Sequence, residues 1–80
     1  VIDPKHRNAN KTRLANRLKI ARAEKNLSQE ELARLSGVTR QTISSIETGQ
    51  YCPSTLLAFV LAERLDKRVD ELFFLEEFVS

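Results

Sequence analysis

Between Ser28 and Gly49 the chain carries start and stop signals for two short helices, set so close together that the helices must pack across a tight turn. Ser28 followed by Glu31 forms a capping box, in which the serine oxygen takes a free backbone N–H and the glutamate reaches back to another. A helix is therefore predicted to begin at Gln29, with Leu32, Ala33 and Leu35 as its apolar stripe. Gly37 ends it, because glycine enters the left-handed conformation without a Cβ penalty. After a turn over residues 37 to 39, Thr39 caps a second helix predicted over residues 40 to 48, and Gly49 stops it. Ile43 and Ile46 share one helical face and leave Arg40, Gln41, Ser44 and Ser45 looking outward. The small Ala33 permits a close crossing of the two helices at a large angle. Each signal alone is common, and the specificity lies in their fixed spacing.

A second helix that presents an arginine, a glutamine and two serines is suited to reading DNA. From Leu18 to about Phe73 the sequence resembles the Cro and phage-repressor type of helix-turn-helix, the Xre-like family of bacterial regulators. The segments that carry the likeness are LKIARAEKNLSQEELARLSGV, TRQTISSIETGQYCPS and LAERLDKRVDELF. The resemblance implies an all-α domain of five helices whose third helix lies in the major groove of double-stranded DNA. It also implies a homodimer on a palindromic operator.

The whole-chain bounds agree. Eighty residues make one domain near the lower limit for an unaided core, and two glycines and two prolines favour helices, with no sheet of consequence. No run of about 18 apolar residues could span a membrane and the N-terminus lacks a signal-peptide core, so a cytoplasmic protein is expected. The lone Cys52 has no internal disulfide partner, and with His6 distant from it no metal-ligand spacing exists. There is no nucleophile with a base at useful spacing and no phosphate loop, so neither an enzyme, a cofactor, a metal nor a small-molecule ligand is expected.

Charge is uneven along the chain. Residues 1 to 25 hold eight basic and two acidic side chains, residues 26 to 55 two and three, and residues 56 to 80 three and six. Such a basic end steers a protein to phosphates, while the acidic end should face away from the duplex. Residues 1 to 11 read as a basic arm without periodicity, either mobile or contacting phosphates or the minor groove. Residues 12 to 73 form the domain and residues 74 to 80 an apolar tail.

The first helix is read from Leu18, Ile20, Ala21 and Ala23, ending near Asn26. Ahead of it, Thr12 and Leu14 either add a turn or run extended and pair with the C-terminal tail. Ser54 caps a fourth helix whose Leu56, Leu57, Phe59, Val60, Leu61 and Leu65 are apolar enough that most are expected inside. A short fifth turn lies near residues 69 to 73.

Roles at the DNA follow from side-chain chemistry and from the resemblance. Arginine is bidentate to guanine and glutamine to adenine, so Arg40 and Gln41 are expected to carry most base readout, with Ser45 and, less directly, Ser44 beside them. Arg40 touching phosphate alone is the competing reading. Gln29, at a helix N-terminus, matches the family glutamine that binds phosphate and braces the recognition helix. Ser28, Thr39, Thr42, Thr48, Gln50 and Tyr51 are further phosphate-contact candidates. The resemblance also pairs Arg22 with Glu47 as a partly buried, structural ion pair.

The C-terminal segment is too aromatic to lie free in water. Phe74, Leu75, Phe78 and Val79 find no obvious place inside so small a domain, which marks an interface, and a homodimer through this tail is expected. The alternative is a tail folded back on its own domain. Function reads as a sequence-specific transcriptional regulator, most simply a repressor that blocks polymerase. The alternative is a protein-interaction module such as the antitoxin of a toxin-antitoxin pair.

Overall fold

The computed structural model describes residues 12–77, and within them five helices are framed by two strands. In chain order these are β1 (Thr12–Asn16), α1 (Leu18–Glu24), α2 (Gln29–Ser36), α3 (Arg40–Glu47), α4 (Thr55–Arg64), α5 (Val69–Leu72) and β2 (Phe73–Glu77). Residues 1 to 11, including the basic arm and His6, lie outside the described residues, as do Phe78 and Val79.

Local signals set most of these boundaries. The Glu31 N–H donates to Ser28 Oγ at 3.0 Å and the Ser28 N–H to Glu31 Oε1 at 2.8 Å, completing the capping box of α2. Gly37 then turns the chain at φ +73°. Thr39 Oγ1 takes the Thr42 N–H at 3.2 Å to open α3, and Ser54 Oγ takes the Leu57 N–H at 3.1 Å to open α4. Satisfying these end groups in advance is what lets helices of two to three turns hold their ends.

The core is built by Leu18 and Ala21 of α1, Leu32 and Ala33 of α2, Ile43 and Ile46 of α3, Leu61 and Ala62 of α4, then Leu65, Leu72 and Phe73. Each large apolar side chain taken fully out of water stabilises the fold by about 1.5–3 kcal/mol. Three stripes are narrower than the sequence suggests. Ile20 and Ala23 are exposed because only Leu18 and Ala21, three residues apart, share the inward face of α1. Leu35 lies at the margin of its stripe and is exposed. On α4 only Leu61 and Ala62 are buried, while Leu56 is 75% and Phe59 59% exposed. The domain is too small to surround an all-apolar helix, so α4 keeps a wet apolar face.

Between the two readings of the residues before Leu18, the extended one holds. β1 runs antiparallel to β2, with Leu14 opposite Leu75 and Asn16 opposite Phe73. A sheet forms despite the scarcity of turn residues because no turn joins its strands: the helical domain brings the two segments together. A two-stranded ribbon is marginal alone. Here Phe73 is buried and Leu14 packs on the core, the Arg17 N–H donates to the Leu72 carbonyl at 2.9 Å, and the Arg17 guanidinium sits 4.2 Å from the Phe74 ring centre. Phe74 and Leu75 are thus strand residues, the first half-buried and the second exposed. No helix of the described residues is long and apolar enough to cross a membrane.

Candidate nucleic-acid interface

Helix α3 displays Arg40 and Gln41 exposed at its N-terminal end, with Ser44 and Ser45 half-buried one turn on. Its inward face is fixed by Ile43 and Ile46, which are fully buried, so the outward set cannot rotate away without dragging both from the core. Gln41 Nε2 donates to Ser45 Oγ at 3.2 Å, an i,i+4 contact that lays the amide along the helix surface.

Arg40 belongs to a chain of bonds that reaches α1. Its Nη1 donates to Gln29 Oε1 at 3.2 Å, and Gln29 Nε2 in turn donates to Glu47 Oε1 at 3.0 Å. Glu47 also accepts from Arg22 Nε at 2.8 Å and Arg22 Nη2 at 3.3 Å, while Arg22 Nη1 donates to the Leu27 carbonyl at 2.8 Å. The Glu47 carboxylate fixes which end of the Gln29 amide is the donor, so the amide oxygen is turned to Arg40. Arg40 is therefore held by a neutral carbonyl, and its other N–H groups keep their positive charge for an acidic or acceptor-rich partner.

The remaining candidates surround this centre. Thr39 and Thr42 face each other with hydroxyls 3.0 Å apart, and Ser28 Oγ is occupied by the cap of α2. Thr48 Oγ1 shares its hydrogen between the Ser44 and Ser45 carbonyls. Gln50 and Tyr51 are exposed, their backbone N–H groups both closing onto the Ser45 carbonyl. Cys52 is exposed in the following loop. Glu31 is held below the ordinary glutamate pKa by its bonds to the Ser28 backbone and hydroxyl, so the negative charge at the start of α2 serves the cap.

Elsewhere an open apolar groove of about 790 Å³ is lined by Leu14, Phe73 and Leu75 of the sheet, by Phe59 and Ala62 of α4 and by Val69 of α5. Phe59 lines this groove, and the exposure of Phe59 and Leu56 is not legible in the sequence because both are as apolar as the buried Leu61 on the same helix. Nor does the sequence single out Asn16, whose side chain bridges the start of α1 and the Ile46 carbonyl of α3. The described residues contain no group of three or more His, Cys, Asp or Glu placed to hold a metal ion.

The helix-turn-helix family model matches residues 18–72. The chain belongs to the Cro/C1-type helix-turn-helix family. It is 45% identical over 64 residues to a helix-turn-helix-type transcriptional regulator of Methanocaldococcus jannaschii, a match spanning 80% of this chain and 97% of that one. The regulator YgzD of Bacillus subtilis is 42% identical over 64 residues, with the same coverage. Among solved structures, the restriction-modification controller protein C.AhdI of Aeromonas hydrophila superposes with a TM-score of 0.65 at 42% identity, covering 69% of this chain and 80% of its own. This protein is accordingly a DNA-binding transcriptional regulator. Both strands lie outside the segment that the family model matches, which covers the five helices.

Proposed function

We propose that the protein represses transcription by occupying a palindromic operator as a homodimer, with α3 of each protomer in the major groove. The observation that carries this is the exposed pair Arg40 and Gln41 at the leading end of a helix clamped by Ile43 and Ile46. Arg40 matches guanine and Gln41 adenine, and Ser44 and Ser45 contribute hydroxyls. Gln29, at the N-terminus of α2, keeps one amide hydrogen for a phosphate after bonding Glu47. Ser28, Thr39, Thr42, Thr48, Gln50 and Tyr51 supply backbone contacts that set register without reading sequence.

The dimer contact we assign to the apolar groove, whose lining includes Phe59, Phe74 and Leu75, together with the exposed Leu56 and with Phe78 and Val79, which lie outside the described residues. The groove carries both signs of charge, Glu63 and Asp70 beside Lys67 and Arg68, so two copies related by a two-fold axis can meet with opposite charges facing.

The test is selection of a random-sequence duplex pool by the full chain at about 150 mM salt, followed by affinity for the winner against a scrambled duplex. The expected result is a palindrome whose half-sites lie about 34 Å apart, one turn of DNA. Weak, sequence-blind binding that vanishes with salt would overturn the proposal.

A further inference from the structure

We infer that Asn16 is a positioning residue for DNA recognition: it ties the terminal strand pair to the C-terminal end of the recognition helix and thereby fixes the angle of α3. The inference rests on the DNA-reading role of α3 and concerns a residue outside the family-matched segment.

Asn16 is the last residue of β1, and the alternation of a strand puts it on the same face as Leu14, toward the core. A polar side chain there must be bonded. Its Oδ1 accepts the Leu18 N–H at 3.0 Å, holding the start of α1, and its Nδ2 donates to the Ile46 carbonyl at 2.9 Å. Arg17, the residue that precedes α1, makes no side-chain cap bond, so Asn16 fills that role from one position earlier. Both ends of the amide are used, which settles its orientation.

The carbonyl it reaches is the turning point of α3. Ile46 is buried, and its oxygen also takes the Gly49 N–H at 3.0 Å where the chain leaves the helix toward Gln50 and Tyr51. At the other end α3 is held by the Thr39 cap and by the Gln29 bond to Arg40. Arg22 and Gln29 hold the Glu47 side chain at the C-terminal end of this helix of eight residues, and Asn16 adds a hold on its backbone there. The hold is firm on the sheet side too, since Asn16 pairs with the buried Phe73 and the Arg17 N–H bonds the Leu72 carbonyl. Side chains that read base edges must be kept within about 0.5 Å of their working geometry, and a bond to the backbone fixes the helix itself where the bonds to Glu47 act through a side chain.

Two substitutions separate the bonds. Asn16→Asp keeps an acceptor for the Leu18 N–H and removes the donor to Ile46. Asn16→Ser does the same without adding charge, its hydroxyl being an adequate acceptor for a helix start but too short to span to α3. Both are measured as full chains for thermal midpoint, for amide exchange at Leu18 and Gly49, and for affinity toward the duplex selected by the wild type against a scrambled duplex. The expected result is faster exchange at Gly49 with Leu18 little changed, and a fall of about tenfold in selected-over-scrambled preference in both variants. Wild-type preference in Asn16→Ser, whatever its midpoint, would overturn the inference, and so would a loss confined to Asn16→Asp, which would be the work of the added charge. If the wild type selects no duplex, the DNA-reading role itself fails, and the inference with it, a failure visible before any variant is made.

Discussion

Glu47→Gln is the perturbation that probes the site most deeply, because the carboxylate is only 6% exposed and accepts from both Arg22 and Gln29. Breaking a dry ion pair by removing one charge costs about 3–5 kcal/mol, whereas an exposed pair contributes about 0–1 kcal/mol. Arg22 is 16% exposed and keeps its bond to the Leu27 carbonyl, so water and one acceptor remain on its side. The glutamine also retains one oxygen for the guanidinium. These two reliefs place the expected loss at about 2–3 kcal/mol. With a urea dependence of about 1 kcal/mol per molar for so small a domain, the midpoint should fall by about 2–3 M. Urea titration followed by circular dichroism measures it, alongside the double variant Arg22→Met/Glu47→Leu, which removes both charges and should recover most of the loss. Operator affinity should fall in Glu47→Gln as well, since the Gln29 amide loses the acceptor that fixes its orientation toward Arg40. A midpoint within about 0.3 M of wild type would refute the reasoning, because the loss worked out above corresponds to a much larger shift.

Gly37→Ala should cost about 1–2 kcal/mol in the same titration, because φ is +73° and nothing lies within 4 Å of an added Cβ. A larger loss would mean that the α2–α3 turn tolerates no adjustment. Phe59→Glu should leave stability within about 0.5 kcal/mol, since the side chain is exposed, yet give a monomer by sedimentation where the proposed function predicts a dimer for the wild type. A persisting dimer would remove the groove as the contact. Glu31, whose folded pKa is depressed by its bonds to Ser28, contributes stability that is present above its unfolded pKa and lost as pH falls through the lower folded value. Glu31→Gln should therefore flatten part of the acid limb of a stability-against-pH curve, and an unchanged limb would show that the cap does not depend on the charge.

Much of this was legible in the sequence because the signals are local. The capping box at Ser28, the caps at Thr39 and Ser54 and the positive φ of Gly37 depend on residues within three or four positions of one another, and each occurs where the spacing predicts. The inward face of α3 was equally plain, since Ile43 and Ile46 stand out among polar neighbours. The outer face of α4 was not, because Leu56 and Phe59 are as apolar as the buried Leu61 and only the size of the domain decides which are covered. β1 was undecided because its pairing partner lies at the other end of the domain, and composition argued against any sheet. Asn16 follows from that choice alone: only once Leu14 and Asn16 share a strand face does a polar group aim at α3.

The claim that α3 reads bases is tested most directly by repeating the duplex selection with Arg40→Ala. The account predicts that one base-pair position in each half-site loses its preference, at about 1–3 kcal/mol, while the other positions keep theirs. A variant that selects the same sequence at every position, with affinity lowered equally for all duplexes, would contradict it and reduce Arg40 to a phosphate contact.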